Sequence, residues 1–180
     1  MNKTALRISV SIVFCMALIF CTKSYAATYD HEITVQKMVV SWKIDGPNIQ
    51  VKLSAPTKGW VGIGFNPSDE MKDAKFILGY VKDGKVVLTD DFGTADTKHE
   101  PVETLGGKSD VTSVGGTLQG DTTTIEFVMP LASTDSKGCK IDPAGNTTVL
   151  LAYGPDNDSF KIKHKFRTKI SVNLTTGEYK

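Results

Sequence analysis

"GWVGIGFNPSDEM", residues 59–71, is the stretch whose reading decides the fold. From Gly59 to Phe65 it is apolar and glycine-rich without a charge, the composition of a buried strand. Asn66-Pro67 ends it, because proline offers no N–H to a ladder and biases the residue before it away from helix. Met71 then stands among Asp69, Glu70, Lys72 and Asp73, an odd place for a core methionine. A thioether is most often a filler of irregular core gaps, and it is also a soft metal ligand.

Period-two patterning extends outward from this stretch in both directions. In "MVVSWKID", Met38, Val40, Trp42 and Ile44 share one face, and "IQVKLSA" repeats the pattern with Ile49, Val51 and Leu53. Asp45-Gly46-Pro47-Asn48 between them reads as a hairpin turn. Asp83-Gly84 within "FILGYVKDGKVVLTD" suits a tight turn that needs positive φ. "TTTIEFVMPL", "TTVLLAYG" and "ISVNL" add further strands. No window of a dozen residues keeps a helical stripe, and only Ser68 to Lys75 offers a turn or two of helix. Gly93 to Gly116 reads as loops around one or two weak strands. Many short strands between Gly, Pro, Asp and Asn clusters make an all-β sandwich or barrel.

Residues 1–26 read as a secretory signal: Lys3 and Arg7 precede an apolar run from Ile8 to Phe20, and Ser24-Tyr25-Ala26 supplies small residues for cleavage. That run has 13 residues, too short to span a bilayer as a helix, and no second long apolar segment follows. The expected mature chain, residues 27–180, has 154 residues and makes one domain, periplasmic or extracellular. Loss of Lys3, Arg7 and Lys23 leaves 18 basic against 20 acidic residues, a net charge of about −2 that excludes a nucleic-acid binder. Cys15 and Cys21 leave with the signal, so Cys139 has no internal disulfide partner and reads as a small buried hydrophobe.

Catalytic templates fail. The chain has no glycine-bracketed nucleophilic serine, no phosphate-cradling loop and no zinc-type pair of close histidines. His31 lies near the expected mature N-terminus and reads as solvent-exposed, and His99 in "TADTKHEP" reads as a surface residue of a polar loop. His164 differs. Phe160, Ile162, His164, Phe166 and Thr168 alternate with Lys161, Lys163, Lys165, Arg167 and Lys169, which puts the imidazole on an apolar, core-facing side of an expected strand. Such a histidine is more often a bonded core residue than a ligand.

"GWVGIGFNPSDEMKDAKFILGYVKDGKV" resembles the opening signature of the DOMON domain family, and the similarity continues through the "VMPL" and "VLLAYG" strands to the late histidine. Lys75 departs from the acidic or small residue that many members carry after the alanine. The resemblance implies an immunoglobulin-like antiparallel β-sandwich exported from the cytoplasm. In the family's redox-active members a b-type haem sits between one methionine and one histidine; carried over, these are Met71 and His164. The absence of C-x-x-C-H makes any haem noncovalent. Trp60, Phe65, Phe76, Tyr153, Phe160 and Phe166 are the expected cofactor walls, and Lys163, Lys165 and Arg167 could meet haem carboxylates at the rim. Such a module would have no substrate turnover of its own and would depend on a separate redox partner protein. Two other readings remain: a non-redox carbohydrate- or ligand-binding sandwich using exposed aromatics such as Trp60 or Tyr153, and a copper site of Met71, His164 and Cys139.

Overall fold

The computed structural model describes residues 28–180; the expected signal at 1–26 lies outside the described residues. Strands β1 (His31–Val35), β2 (Met38–Asp45), β3 (Asn48–Ala55), β4 (Val61–Phe65), β5 (Lys75–Lys82) and β6 (Lys85–Ala95) are followed by β7 (Lys98–Pro101), β8 (Thr112–Gln119), β9 (Thr122–Pro130), β10 (Asn146–Tyr153) and β11 (Phe166–Asn173). They form two antiparallel sheets, one of five strands in the order β1-β2-β3-β9-β8 and one of six in the order β11-β10-β4-β5-β6-β7. The all-β sandwich expected from the alternation is the observed architecture.

Alternation places the core. Val51, Leu53, Ile125 and Phe127 on the first sheet meet Ile63, Phe65, Ile77 and Leu151 on the second, all fully buried. Each such side chain contributes roughly 1.5–3 kcal/mol by leaving water. Trp42 is buried among them, and its Nε1–H donates to the Leu174 carbonyl at 2.8 Å, so its one polar atom is satisfied. Asp83 and Gly84 both have positive φ, 50° and 72°, the geometry an Asp-Gly hairpin turn requires.

Three expectations are corrected. Ser68 to Lys75 holds no helix, because Glu70 and Asp73 adopt left-handed φ of 43° and 61° and the Ser68 N–H bonds to the Lys72 carbonyl in a tight turn. The Gly93–Gly116 region, read as loops around one or two weak strands, agrees with that reading: it contains the whole strand β7 and most of β8, whose polar, glycine-bearing sequence reflects an edge strand largely open to water. His31 is not in a loose terminus: it lies in β1, with its ring 5.2 Å from that of Trp42. The alternation from Phe160 is not a strand until Phe166. Residues 154–165 form an irregular loop instead, so His164 is a loop residue just before β11.

Candidate functional site

In β4, Val61, Ile63 and Phe65 turn into the sandwich, so Gly62 and Gly64 turn to the outer face of the six-stranded sheet. Gly62 is in register with Leu78 and Ala152, and Gly64 with Phe76 and Leu150. A Cβ on Gly64 would come within 2.6 Å of the Phe76 ring, and one on Gly62 within 3.2 Å of Leu78. The glycines therefore let these side chains lie down on the sheet as a low apolar floor. Trp60, Ala74, Phe76 and Leu78 form a second buried cluster on this face, with Met71, Tyr80, Leu150, Ala152 and Phe160 packed against it.

Two loops enclose the floor from opposite strand ends. The β4–β5 loop carries Met71. It is tied to the β6–β7 hairpin by bonds from the Met71 N–H to the Asp96 carbonyl (3.3 Å) and from the Asp73 N–H to the Gly93 carbonyl (2.9 Å). The approach is so close that a Cβ on Gly93 would stand 2.8 Å from the Met71 carbonyl carbon. The β10–β11 loop carries His164. Trp60 Nε1–H donates to the Ile162 carbonyl at 3.2 Å, and the Phe160 ring lies 4.9 Å from that of Tyr80. Between the loops is a cavity of about 310 Å³ whose lining includes Met71, His164, Trp60, Phe76, Leu78, Leu150, Glu70, His99, Arg167 and Lys169. Its size falls within the range of small-molecule sites, and its composition, apolar with a few convergent polar groups, is typical of them.

Met71 and His164, 93 positions apart in the chain, are thus brought to one cavity, with Trp60 and Phe76 in its wall and Phe160 in the adjoining cluster. Phe65, Tyr153 and Phe166 are not wall residues. Strand parity turns them to the other side of the sheet, where Phe65 is main core and the Tyr153 and Phe166 rings stack at 5.2 Å. Of the expected rim cations Arg167 lines the cavity, as does Lys169, while Lys163 and Lys165 are exposed outside it. Cys139 packs against the main core, away from Met71 and His164, and burial pushes its thiol up to about 11; the three copper donors are not assembled. Trp60 and Tyr153 are both buried, so neither offers the exposed platform that the carbohydrate reading needs.

Burial, followed by the charges of Arg167 and Lys163, holds the His164 pKa below the usual histidine value. The ring is therefore neutral at physiological pH and has a lone pair to give. His99, read as a surface residue, instead lines the cavity with its ring 5.2 Å from that of Phe76. Its Nδ1–H donates to Asp91 Oδ2 at 2.6 Å, and the Thr89 hydroxyl donates to the other Asp91 oxygen. On the inner side of the sheet Lys75, only 2 % exposed, bridges Asp90 (2.9 Å) and Asp110 (2.8 Å). Burial opposes the lysine's charge, but the bonds to Asp110 and Asp90 outweigh it and its pKa is raised. Burial also raises the carboxyl pKa of Asp90.

A family model for the DOMON domain matches residues 34–154. The chain belongs to the DOMON domain family. The matched residues include Met71 and end before His164. This DOMON chain is 32 % identical over 76 residues to DBH-like monooxygenase protein 1 of Mus musculus, covering 41 % of the chain and 12 % of that protein. It is 31 % identical over 75 residues to MOXD1 homolog 2 of Drosophila melanogaster, covering 41 % and 10 %. The chain thus spans about a tenth of the length of the curated relatives it matches. Among solved structures, the cytochrome b domain of pyranose dehydrogenase from Coprinopsis cinerea superposes with a TM-score of 0.60 at 14 % identity, covering 78 % of both chains. The cytochrome domain of Myriococcum thermophilum cellobiose dehydrogenase does so with 0.56 at 12 %, again over 78 % of both. At these identities the likeness is one of fold.

Proposed function

We propose that this DOMON domain is an exported electron-transfer module that holds a b-type haem noncovalently between Met71 and His164. The observation that carries the reading is the convergence of one thioether and one neutral imidazole, from opposite loops, on a single apolar cavity with a glycine-lowered floor. The cradle fits a flat apolar ring system, because a side chain at residue 64 would push the Phe76 ring up into it. The cytochrome domains among the structural neighbours support the same reading.

Bound there, haem supplies a one-electron iron couple. The protein's part is ligation, exclusion of water and charge balance. Met71 and His164 would be the residues that hold the iron, and thioether ligation would raise its reduction potential. Phe76, Leu78 and Trp60 would keep water from the bound ring. Arg167 and Lys169 supply positive charge at the cavity for the haem carboxylates. Such a module passes single electrons between proteins and turns over no substrate of its own, so it needs a redox partner protein. The secretory signal read at residues 1–26 would place that exchange in the periplasm or outside the cell.

Haem reconstitution of the purified protein tests this. The wild type is expected to show low-spin haem with a thioether–iron signature. Met71→Ala should lose that signature and lower the potential, and His164→Ala should lose most of the haem. Failure of the wild type to bind haem, or binding indifferent to both substitutions, would refute the assignment.

A further inference from the structure

His99 is a cavity residue that Met/His ligation leaves unused. Its surroundings differ from those of a solvated edge histidine. Asp91, 3 % exposed on β6, has one carboxylate oxygen bonded by the Thr89 hydroxyl and the other by His99 Nδ1–H at 2.6 Å. A carboxylate only accepts, so the bond places a proton on Nδ1, and in the neutral ring Nε2 is the atom with a lone pair to give. An imidazole whose far nitrogen is tied to a carboxylate is the usual arrangement of a metal-ligating histidine, because the bond sets tautomer and ring orientation and strengthens the donor.

Position supports the same role. His99 is paired across the β6–β7 hairpin with Gly93, and Gly93 is the residue on which the Met71 backbone rests. Met71 and His99 thus flank the same glycine and both line the cavity, which His164 reaches on the loop from the opposite strand end. The ring also packs on Phe76, part of the floor.

We propose that His99 is a reserve axial ligand: when the Met71 thioether leaves the iron, His99 Nε2 takes its position, giving ligation by His99 and His164. The inference rests on the haem reading. In the exchange one iron–sulfur bond breaks and one iron–nitrogen bond forms from the Nε2 lone pair; the Nδ1 proton stays on its bond to Asp91, and no electron is gained or lost. Replacing a thioether by an imidazole lowers the reduction potential, so the domain has two ligation states of different driving force.

The test compares haem-loaded wild type, Met71→Ala, Met71→Ala/His99→Gln and Met71→Ala/Asp91→Asn by electron paramagnetic resonance and potentiometry. Glutamine at 99 keeps a donor for Asp91, so the hairpin is preserved without the imidazole. Asparagine at 91 can donate to Nδ1 and move the ring proton to Nε2, which disables the ligand while the ring remains. Circular dichroism of each haem-free variant confirms folding. Met71→Ala is expected to stay low-spin with a lowered potential. Both double variants should become high-spin and bind haem roughly 10–100-fold more weakly than Met71→Ala. A Met71→Ala protein that is already high-spin, or double variants that stay low-spin, would overturn the role of His99 while leaving Met71/His164 ligation standing. A wild type that takes up no haem would remove the haem reading and this inference with it.

Discussion

Gly64→Ala probes the cavity floor with a single methyl group. In the structure that carbon would lie 2.6 Å from Cδ1 and 3.2 Å from Cζ of the Phe76 ring. Ordinary carbon–carbon contact begins at about 3.5 Å, so the ring must retreat by roughly 1 Å. The sheet lies beneath it, so the retreat is upward into the cavity. Overpacking of this kind costs about 1–3 kcal/mol of stability. Loss of the same ~1.4 kcal/mol or more from cofactor binding weakens it by about tenfold or more. Gly62→Ala on the same strand and face is the control. Its methyl would meet Leu78 Cγ at 3.2 Å and the Trp60 ring at 3.4 Å, contacts that a flexible leucine relieves by a few tenths of an ångström. Its expected cost is below about 1 kcal/mol. Urea unfolding of the haem-free proteins gives the stability difference, and haem titration gives the affinity difference. Equal behaviour of the two variants, or wild-type haem affinity in Gly64→Ala, would refute the glycine-floor reasoning.

Lys75→Met strands the carboxylates of Asp90 and Asp110 and should cost about 3–5 kcal/mol at pH 7, since removing one partner of a buried pair leaves an uncompensated charge. Because the folded pKa of Asp90 is already raised, protonation relieves that charge as pH falls; the deficit relative to wild type should shrink toward pH 4, and one independent of pH would contradict the ion-pair account. Cys139, with its thiol pushed up to about 11, should react with iodoacetamide at pH 8 roughly 100-fold more slowly than a free cysteine. Alkylation at the free-thiol rate would contradict its burial against the core.

Elements written in local chemistry were legible in the sequence. The Asp83-Gly84 turn follows from positive φ, and the alternation in β2, β3, β9 and β10 follows from one face being buried. What parity could not tell was which side of a sheet borders the main core and which borders the cavity. The six-stranded sheet is apolar on both faces around β4, so Phe65, Tyr153 and Phe166 looked like cavity walls as readily as Trp60 and Phe76 did. The glycines at 62 and 64 were the available signal, since they sit on the face opposite Val61, Ile63 and Phe65. The alternation before Phe166 misled because its loop is shaped by tertiary contacts, Trp60 with Ile162 and Phe160 with Tyr80, which leave no trace in residue spacing. Met71 and His164 were reached through family resemblance. His99 was missed because its meaning lies in Asp91, eight positions earlier on the neighbouring strand. Lys75, a departure from the family pattern, found its reason in Asp110, 35 positions away.

The most direct measurement is the visible absorption spectrum of the purified protein with stoichiometric haem, recorded oxidised and then reduced. Ligation by Met71 and His164 is expected to give sharp low-spin bands in the reduced state, with the thioether–iron band of the oxidised state abolished by Met71→Ala. A spectrum indistinguishable from free haem, or a high-spin spectrum that neither Met71→Ala nor His164→Ala alters, would contradict the proposal that these two side chains grip one iron.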